Sequence, residues 1–129
     1  MIAELAALAA LYRSHMTCVS HEGRTTQTFY SDTMPTPDGR LLVQRNYASD
    51  FSEVITIAYD ARKRRYVRAQ AVADGSVATG TANAPVNGVW TWRTASVPPS
   101  AGEPRTFHFG IVSGKLRYWY PDGTYSVCE

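Results

Sequence analysis

Six turn dipeptides ending in glycine divide this chain into short segments, and they constrain its fold more than any other feature. They are Glu22-Gly23, Asp38-Gly39, Asp74-Gly75, Asn87-Gly88, Ser113-Gly114 and Asp122-Gly123. Asp-Gly and Asn-Gly favour the positive φ angles of the tight turns that join antiparallel strands. The sequence therefore predicts a succession of β-hairpins.

The segments between these turns are rich in Val, Ile, Thr, Tyr, Phe and Trp, which favour β-strands. We predict ten strands, over residues 16–22, 25–32, 40–48, 52–59, 65–73, 76–83, 88–95, 105–112, 115–120 and 124–128. Antiparallel strands in this number close on themselves, because closure removes exposed edges. The predicted fold is all-β, a single antiparallel meander barrel of 8–10 strands.

One segment is typical of a helix. Residues 3–14 are dominated by Ala, Leu and Glu and contain no Gly, Pro or β-branched residue. A helix of about twelve residues is marginal by itself, so we expect it to pack on the barrel. The 129 residues are expected to form one domain, with a helix in 1–15 and a barrel over 16–129.

The hairpin around Asp60 resembles a motif of a known family. Segment 57–68 (IAYDARKRRYVR) places an aromatic-Asp turn between two strands, and Asp74-Gly75 follows one strand later. This pattern resembles that of small lipocalin-like (calycin) bacterial domains of the DUF1579 type, most of which have no assigned function. The resemblance implies an eight- or ten-stranded barrel around a small-molecule cavity. Some lipocalin-like bacterial proteins also have one cysteine in the first strand and another in the last, and Cys18 and Cys128 resemble this arrangement.

The formal net charge is small, at +2, and unevenly distributed. Five of the 13 basic residues lie within seven positions, and without them 8 basic residues face 11 acidic ones. These five are Arg62, Lys63, Arg64, Arg65 and Arg68. The basic charge thus belongs to one turn, either a solvated hairpin tip or a contact for an anionic partner. It does not form the extended basic surface of a nucleic-acid-binding protein, so no nucleic acid partner is predicted.

No stretch of the sequence approaches the roughly 18 apolar residues of a spanning helix, so no membrane span is predicted. The first ten residues carry Glu4 where a signal peptide has a positive region. We expect a cytoplasmic protein, or an exported one if a leader has been removed.

Two residues are candidates for acid–base chemistry. His108 lies between Phe107 and Phe109 in the sequence, and its side chain is on the strand face opposite theirs. Imidazole is the side chain whose ordinary pKa is nearest to neutral pH. The alternative is a structural or outward-facing histidine. Glu53 shares a strand face with Ile55 among apolar neighbours, where a carboxylate needs a polar partner. Counting across the turn at 61–64 predicts Arg68 or Gln70 as that partner, and the alternative is a charge pair that only fixes strand register.

Aromatic and polar side chains are numerous enough to line a pocket for a small apolar or aromatic ligand. The predicted ligand-binding residues are Tyr30, Tyr47, Tyr59, Arg68, Gln70, Trp92 and Tyr118. Aromatic residues of a small barrel equally form its core, so both interpretations stay open. The Pro-rich segments 33–39 and 96–104 are expected to rim the cavity mouth.

Two functions follow from this pocket. The first is a binding module for an apolar or aromatic ligand, and the second is a cofactor-free isomerase, cyclase or hydrolase using His108 or Glu53. No cofactor and no metal are predicted, since no HxH or HExxH spacing occurs. A homodimer is left open beside a monomer.

Cys18 and Cys128 are predicted to meet, because the first and last strands of a closed meander are neighbours. Facing residues of antiparallel strands have Cα atoms about 4.5–5.5 Å apart, within reach of a disulfide. We predict a disulfide in an oxidising compartment and two buried thiols in a reducing one. A register slip of one residue would place the two side chains on opposite faces.

Overall fold

The six turn dipeptides lie between consecutive strands, as the sequence predicts. All six turn glycines have φ between 59° and 93°. The computed structural model describes residues 1–97 and 104–129. The elements are α1 (Ala3–Ala9), β1 (His15–Glu22), β2 (Thr25–Pro35), β3 (Leu42–Ala48), β4 (Phe51–Asp60), β5 (Arg65–Val72), β6 (Val77–Ala82), β7 (Trp90–Val97), β8 (Arg105–Val112), β9 (Lys115–Trp119) and β10 (Tyr125–Cys128).

The ten strands pair with their sequence neighbours and form a closed antiparallel barrel. The seam is closed by β1 and β10, where Cys18 faces Cys128 and Val19 faces Val127. The prediction of an all-β antiparallel barrel with one N-terminal helix is confirmed.

The helix is shorter than the sequence predicts, because α1 ends at Ala9 instead of residue 14. Leu5 and Leu8 are buried, and the Tyr66 hydroxyl donates a hydrogen bond to the Glu4 carbonyl at 2.7 Å. The chain then leaves the helix, and the Tyr12 ring packs 6.0 Å from that of Phe109. The predicted end of the helix at residue 14 was therefore wrong, because Tyr12 packs against the barrel interior and does not continue the helix. In the described part of the chain, no helix is long and apolar enough to cross a membrane.

Helix α1 covers one end of the barrel, and the half beneath it is called the closed half here. Its interior is filled by buried apolar and aromatic side chains, among them Leu42, Ile57, Tyr66, Trp90, Phe109 and Leu116. The opposite half, toward Phe51 on β4 and Val72 on β5, is called the open half. Because the strands run up and down, alternate turns lie at the same end.

Segment 33–39 does not rim the mouth of the open half, which corrects the sequence-based expectation. Residues 33–35 belong to β2, and Gly39 lies at the covered end, where a Cβ atom would sit 3.2 Å from the Met1 nitrogen. The other Pro-rich segment follows β7, which ends at Val97, and its residues 98–103 lie outside the described residues.

Candidate ligand-binding cavity

The open half contains a cavity of about 760 Å³. The small residue Ala78 on β6 creates part of this space, since it lines the cavity opposite the larger Gln70 of β5. The polar residues and tyrosines that line it are Gln27, Gln44, Asn46, Glu53, Arg68, Gln70, Ser76, Thr94, Ser96, Arg105, Tyr118, Tyr120 and Ser126. The two halves of one barrel therefore have different interiors.

Arg68 lies deep in the cavity, held against two aromatic rings. Its guanidinium carbon is 5.6 Å from the centre of the Trp92 ring and 5.2 Å from that of Phe107. Gly80 faces Arg68 across the strand pair, and a Cβ atom at Gly80 would come within 3.2 Å of Arg68 Cγ. Gly80 thus leaves the space that the arginine stem occupies, and the aromatic rings favour the cation by cation–π attraction.

Glu53 is held by two amide groups. Asn46 Nδ2 donates to Glu53 Oε1 at 2.8 Å, and Gln70 Nε2 donates to Glu53 Oε2. Gln70, one of the two partners that the sequence suggests, therefore binds the carboxylate. Over residues 1–97 and 104–129, no arginine forms an ion pair with a carboxylate, so Arg68 does not pair with Glu53.

The wall next to Arg68 is a polar network centred on Gln44. This amide is 3% exposed and donates to Ser31 Oγ and Thr33 Oγ1, each at 3.3 Å. The Gln44 nitrogen is also 3.4 Å from the Tyr118 hydroxyl oxygen, which is a third acceptor within its reach. Burial raises the pKa of Tyr118, so this hydroxyl stays neutral at physiological pH and can both donate and accept.

Arg105 and Tyr120 form the outer part of the cavity. The Arg105 guanidinium lies 5.0 Å from the centre of the Tyr120 ring. Burial raises the pKa of Tyr120, while the nearby positive charges of Arg105 and Arg68 act in the opposite direction. The lining also includes Phe51 and Val77, which are exposed apolar side chains beside the opening. The lining therefore has exposed apolar side chains beside the opening and, elsewhere, polar side chains together with the apolar Phe29, Ile55 and Phe107.

The structure brings four of the predicted site residues into this cavity. Glu53, Arg68, Gln70 and Tyr118 all line it. Trp92 is buried beneath Arg68 and contacts it through its ring face. The positions of these residues in the barrel are thus known, whereas their roles in ligand binding or catalysis stay predictions.

Four other predicted residues do not line the cavity, which corrects the expectation that they would. Tyr59 packs edge-on against Tyr66 at 5.0 Å, toward the helix. Tyr30 and Tyr47 contact each other on the outer surface, 5.7 Å apart. His108 also faces outward, because side chains alternate along a strand and its neighbours Phe107 and Phe109 point into the barrel.

On the outer surface, His108 Nδ1 is 2.8 Å from Thr91 Oγ1, and its ring lies 5.7 Å from that of Trp119. These contacts fit the structural alternative for His108. The hypothesis of an acid–base group inside the barrel therefore depends on Glu53.

The cavity lining also contains residues that sequence reasoning did not select, among them Gln44, Asn46 and Arg105. Alternation along β3 was the available signal for the first two, since Leu42, Gln44 and Asn46 share one face. The same signal was available for Arg105, which shares a face with Phe107 on β8.

Cys18 and Cys128 are bonded through their sulfur atoms, with a Cα–Cα distance of 4.1 Å. Both side chains are buried in the closed half. Among the described residues, no group of three or more His, Cys, Asp or Glu is placed to hold a metal ion.

No protein-family model matches the sequence, and no curated protein matches it. The closed ten-stranded barrel is compatible with a calycin-like fold. The likeness to DUF1579-type domains therefore has no support from a family match.

Proposed function

We propose that this protein binds a small molecule with an apolar or aromatic body in the open half of its barrel. The observation that carries the proposal is the cavity of about 760 Å³. Its volume lies in the range of roughly 300–1,000 Å³ that is typical of small-molecule sites. Its lining combines aromatic rings with polar and charged side chains, which can fix the orientation of a bound molecule.

The contrast between the two halves supports ligand binding over simple core packing. A barrel that needs only stability fills its interior with side chains, as the closed half does with Trp90 and Phe109. In the open half the inward residue of β6 that lines the cavity is the small Ala78, which leaves space unfilled. A ligand is the natural occupant of a space that side chains leave open.

Titration with the uncharged fluorescent probe N-phenyl-1-naphthylamine tests the proposal. We expect saturable binding with one probe per barrel. The variant Ala78→Phe places a ring inside the cavity and should abolish binding. The matched control is Thr79→Phe, because Thr79 is the next residue along β6 and is exposed on the outer face.

Absence of saturable binding, or equal binding to Ala78→Phe and the parent, would contradict the proposed function. Native mass spectrometry of protein purified from its own host would then identify the natural ligand as a co-purifying mass. The probe establishes the site, and the co-purified mass establishes the chemistry of its occupant.

A second candidate function is a cofactor-free reaction, supported by Glu53 as the one carboxylate among the described residues that line the cavity. Two amides hold its oxygens and orient the carboxylate. Glu53→Gln keeps the shape while removing the acid–base group. If the co-purified molecule is a substrate, this variant should bind it and fail to convert it. Equal conversion by parent and variant would leave binding as the function.

A further inference from the structure

We propose that the ligand carries an oxyanion, such as a carboxylate, and that Arg68 binds this group deep in the cavity. The inference rests on the proposed function, since it names the chemistry of that same site. It makes the cavity selective for amphipathic acids over uncharged molecules of similar size.

The first observation is that the Arg68 side chain has no polar partner among the described residues. A guanidinium group has five N–H donors and no acceptor. No side-chain hydrogen bond or ion pair joins the Arg68 guanidinium to any described residue, and its Nε is buried without a partner. A buried donor left unpaired is unfavourable, so the arrangement calls for an acceptor that residues 1–97 and 104–129 do not supply.

The second observation is that the barrel is built around this arginine. Gly80 provides the room for its stem, and the rings of Trp92 and Phe107 hold the guanidinium. A side chain held in one position loses less conformational freedom on binding, which favours affinity. Arg68 is therefore prearranged, although no internal partner fixes it.

The third observation concerns the acidic group that should neutralise Arg68. Glu53 lies in the same cavity, yet both of its oxygens accept hydrogen bonds from the amides of Asn46 and Gln70. On β5 the residue directly opposite Glu53 is the apolar Val72, and Gln70, which faces Ile55, is the polar side chain that reaches the carboxylate. Arg68 lies one inward position farther away, opposite Ile57. The carboxylate is satisfied by neutral donors, and the guanidinium stays available for an external anion.

The charges and the apolar rim together give the ligand an orientation. The described lining contains two arginines, Arg68 and Arg105, and one carboxylate, so the cavity has an excess of positive charge. Phe51 and Val77 lie at the mouth. We expect the oxyanion to point inward to Arg68, with the apolar body extending past Arg105 toward this rim.

A pair of probes that differ in charge tests the inference. The anionic probe is 8-anilinonaphthalene-1-sulfonate, and the uncharged one is N-phenyl-1-naphthylamine, which lacks the sulfonate. Arg68→Met should weaken binding of the anionic probe at least about tenfold, the effect expected for a lost charge-assisted hydrogen bond. Binding of the uncharged probe should be unchanged, which also shows that the variant folds.

Two further variants complete the design. Arg68→Lys keeps the charge and should recover part of the lost affinity for the anionic probe. Arg117→Met is the matched control, because Arg117 also stacks on a ring, 4.2 Å from that of Tyr125, at an outward-facing position of β9. It should alter binding of neither probe.

The outcomes separate the two proposals. If the uncharged probe binds but Arg68→Met weakens both probes equally, Arg68 only packs the wall and the inference is overturned. If Arg117→Met weakens the anionic probe as much as Arg68→Met does, the sulfonate binds the outer surface and the inference is also overturned. If the parent binds neither probe saturably, the proposed function itself fails.

Discussion

The closed and open halves of this barrel are built from the same strands, yet their interiors differ. On β3, Leu42 belongs to the closed half, whereas Gln44 and Asn46 line the cavity. On β7, buried Trp90 gives way to Thr94 toward the mouth. A single meander of hairpins can thus contain a packed core at one end and a cavity at the other, because the inward-facing residues change in size and polarity along each strand.

The difference shows where stability and binding reside. The closed half contains the disulfide, the helix contacts and most of the buried aromatic rings. The open half holds an arginine whose side chain has no polar partner in the described part of the chain, and a carboxylate bound by amides. Groups that break the usual rules of burial tend to lie at functional sites, and the closed half supplies the stability that tolerates them.

The largest expected effect concerns the disulfide in the closed half. Replacing both Cys18 and Cys128 by Ala should lower the free energy of unfolding by roughly 4–5 kcal/mol, because the bond restricts the unfolded chain across nearly its whole length. Chemical denaturation of the oxidised parent and of this variant measures the loss. The parent in reductant is the control and should behave like the variant. Two free thiols in the denatured, oxidised parent would contradict the bond.

The next effect is the loss of a helix contact in the closed half. Leu8→Ala should lower the free energy of unfolding by about 2–5 kcal/mol, as expected for a fully buried leucine. Leu8 is 0% exposed, whereas Leu41 is 37% exposed and provides a matched leucine control. Leu41→Ala should cost under about 1 kcal/mol. Equal losses in urea denaturation would show that α1 does not seal the barrel.

A pH effect of intermediate size is expected from Tyr12, which enters the barrel behind α1. Burial of its hydroxyl raises the pKa of Tyr12 well above 10.0, with the neighbouring Tyr118 acting in the same direction. When the pKa of a group is higher in the folded protein than in the unfolded one, the group contributes fully to stability at pH values below its unfolded pKa. This contribution is lost as the pH rises through its pKa in the folded protein. The parent should therefore lose stability at alkaline pH.

Tyr12→Phe removes this ionisation and should reduce the alkaline loss. The measurement compares urea midpoints at about pH 8 and about pH 11, on either side of the ordinary tyrosine pKa. Tyr30→Phe, which removes an exposed hydroxyl, should leave the alkaline loss as it is in the parent. An unchanged loss in Tyr12→Phe would show that its hydroxyl is not buried in solution.

The smallest effect on stability is expected from Arg68 in the open half. Arg68→Met should change the free energy of unfolding of the ligand-free protein by less than about 1 kcal/mol, because the lost cation–π contacts are offset by removal of a buried, unpaired donor. Denaturation without ligand provides the measurement. A loss as large as that of Leu8→Ala would show that Arg68 belongs to the core, and the contrast between the halves would fail.

The sequence by itself determined the hairpins, their order and their closure. Each Asp-Gly or Asn-Gly turn is a local conformational preference, which needs no distant contact to act. Closure followed from the number of consecutive antiparallel strands, and the seam followed from closure. This is why the neighbouring positions of Cys18 and Cys128 could be predicted from their places near the two ends of the chain.

Only the tertiary structure decided which strand faces point inward and which side chains meet there. Alternation has a period of two, so it separates Phe107 from His108 without telling which of them faces the lumen. Gly80 and Arg68 meet because the register between β5 and β6 pairs them, and Asn46 reaches Glu53 through the register between β3 and β4. The early end of α1 is also a tertiary feature, since the chain leaves the helix before Tyr12, whose ring packs on Phe109. Such choices depend on the closed barrel as a whole, because a shift of one residue in any strand would exchange its two faces.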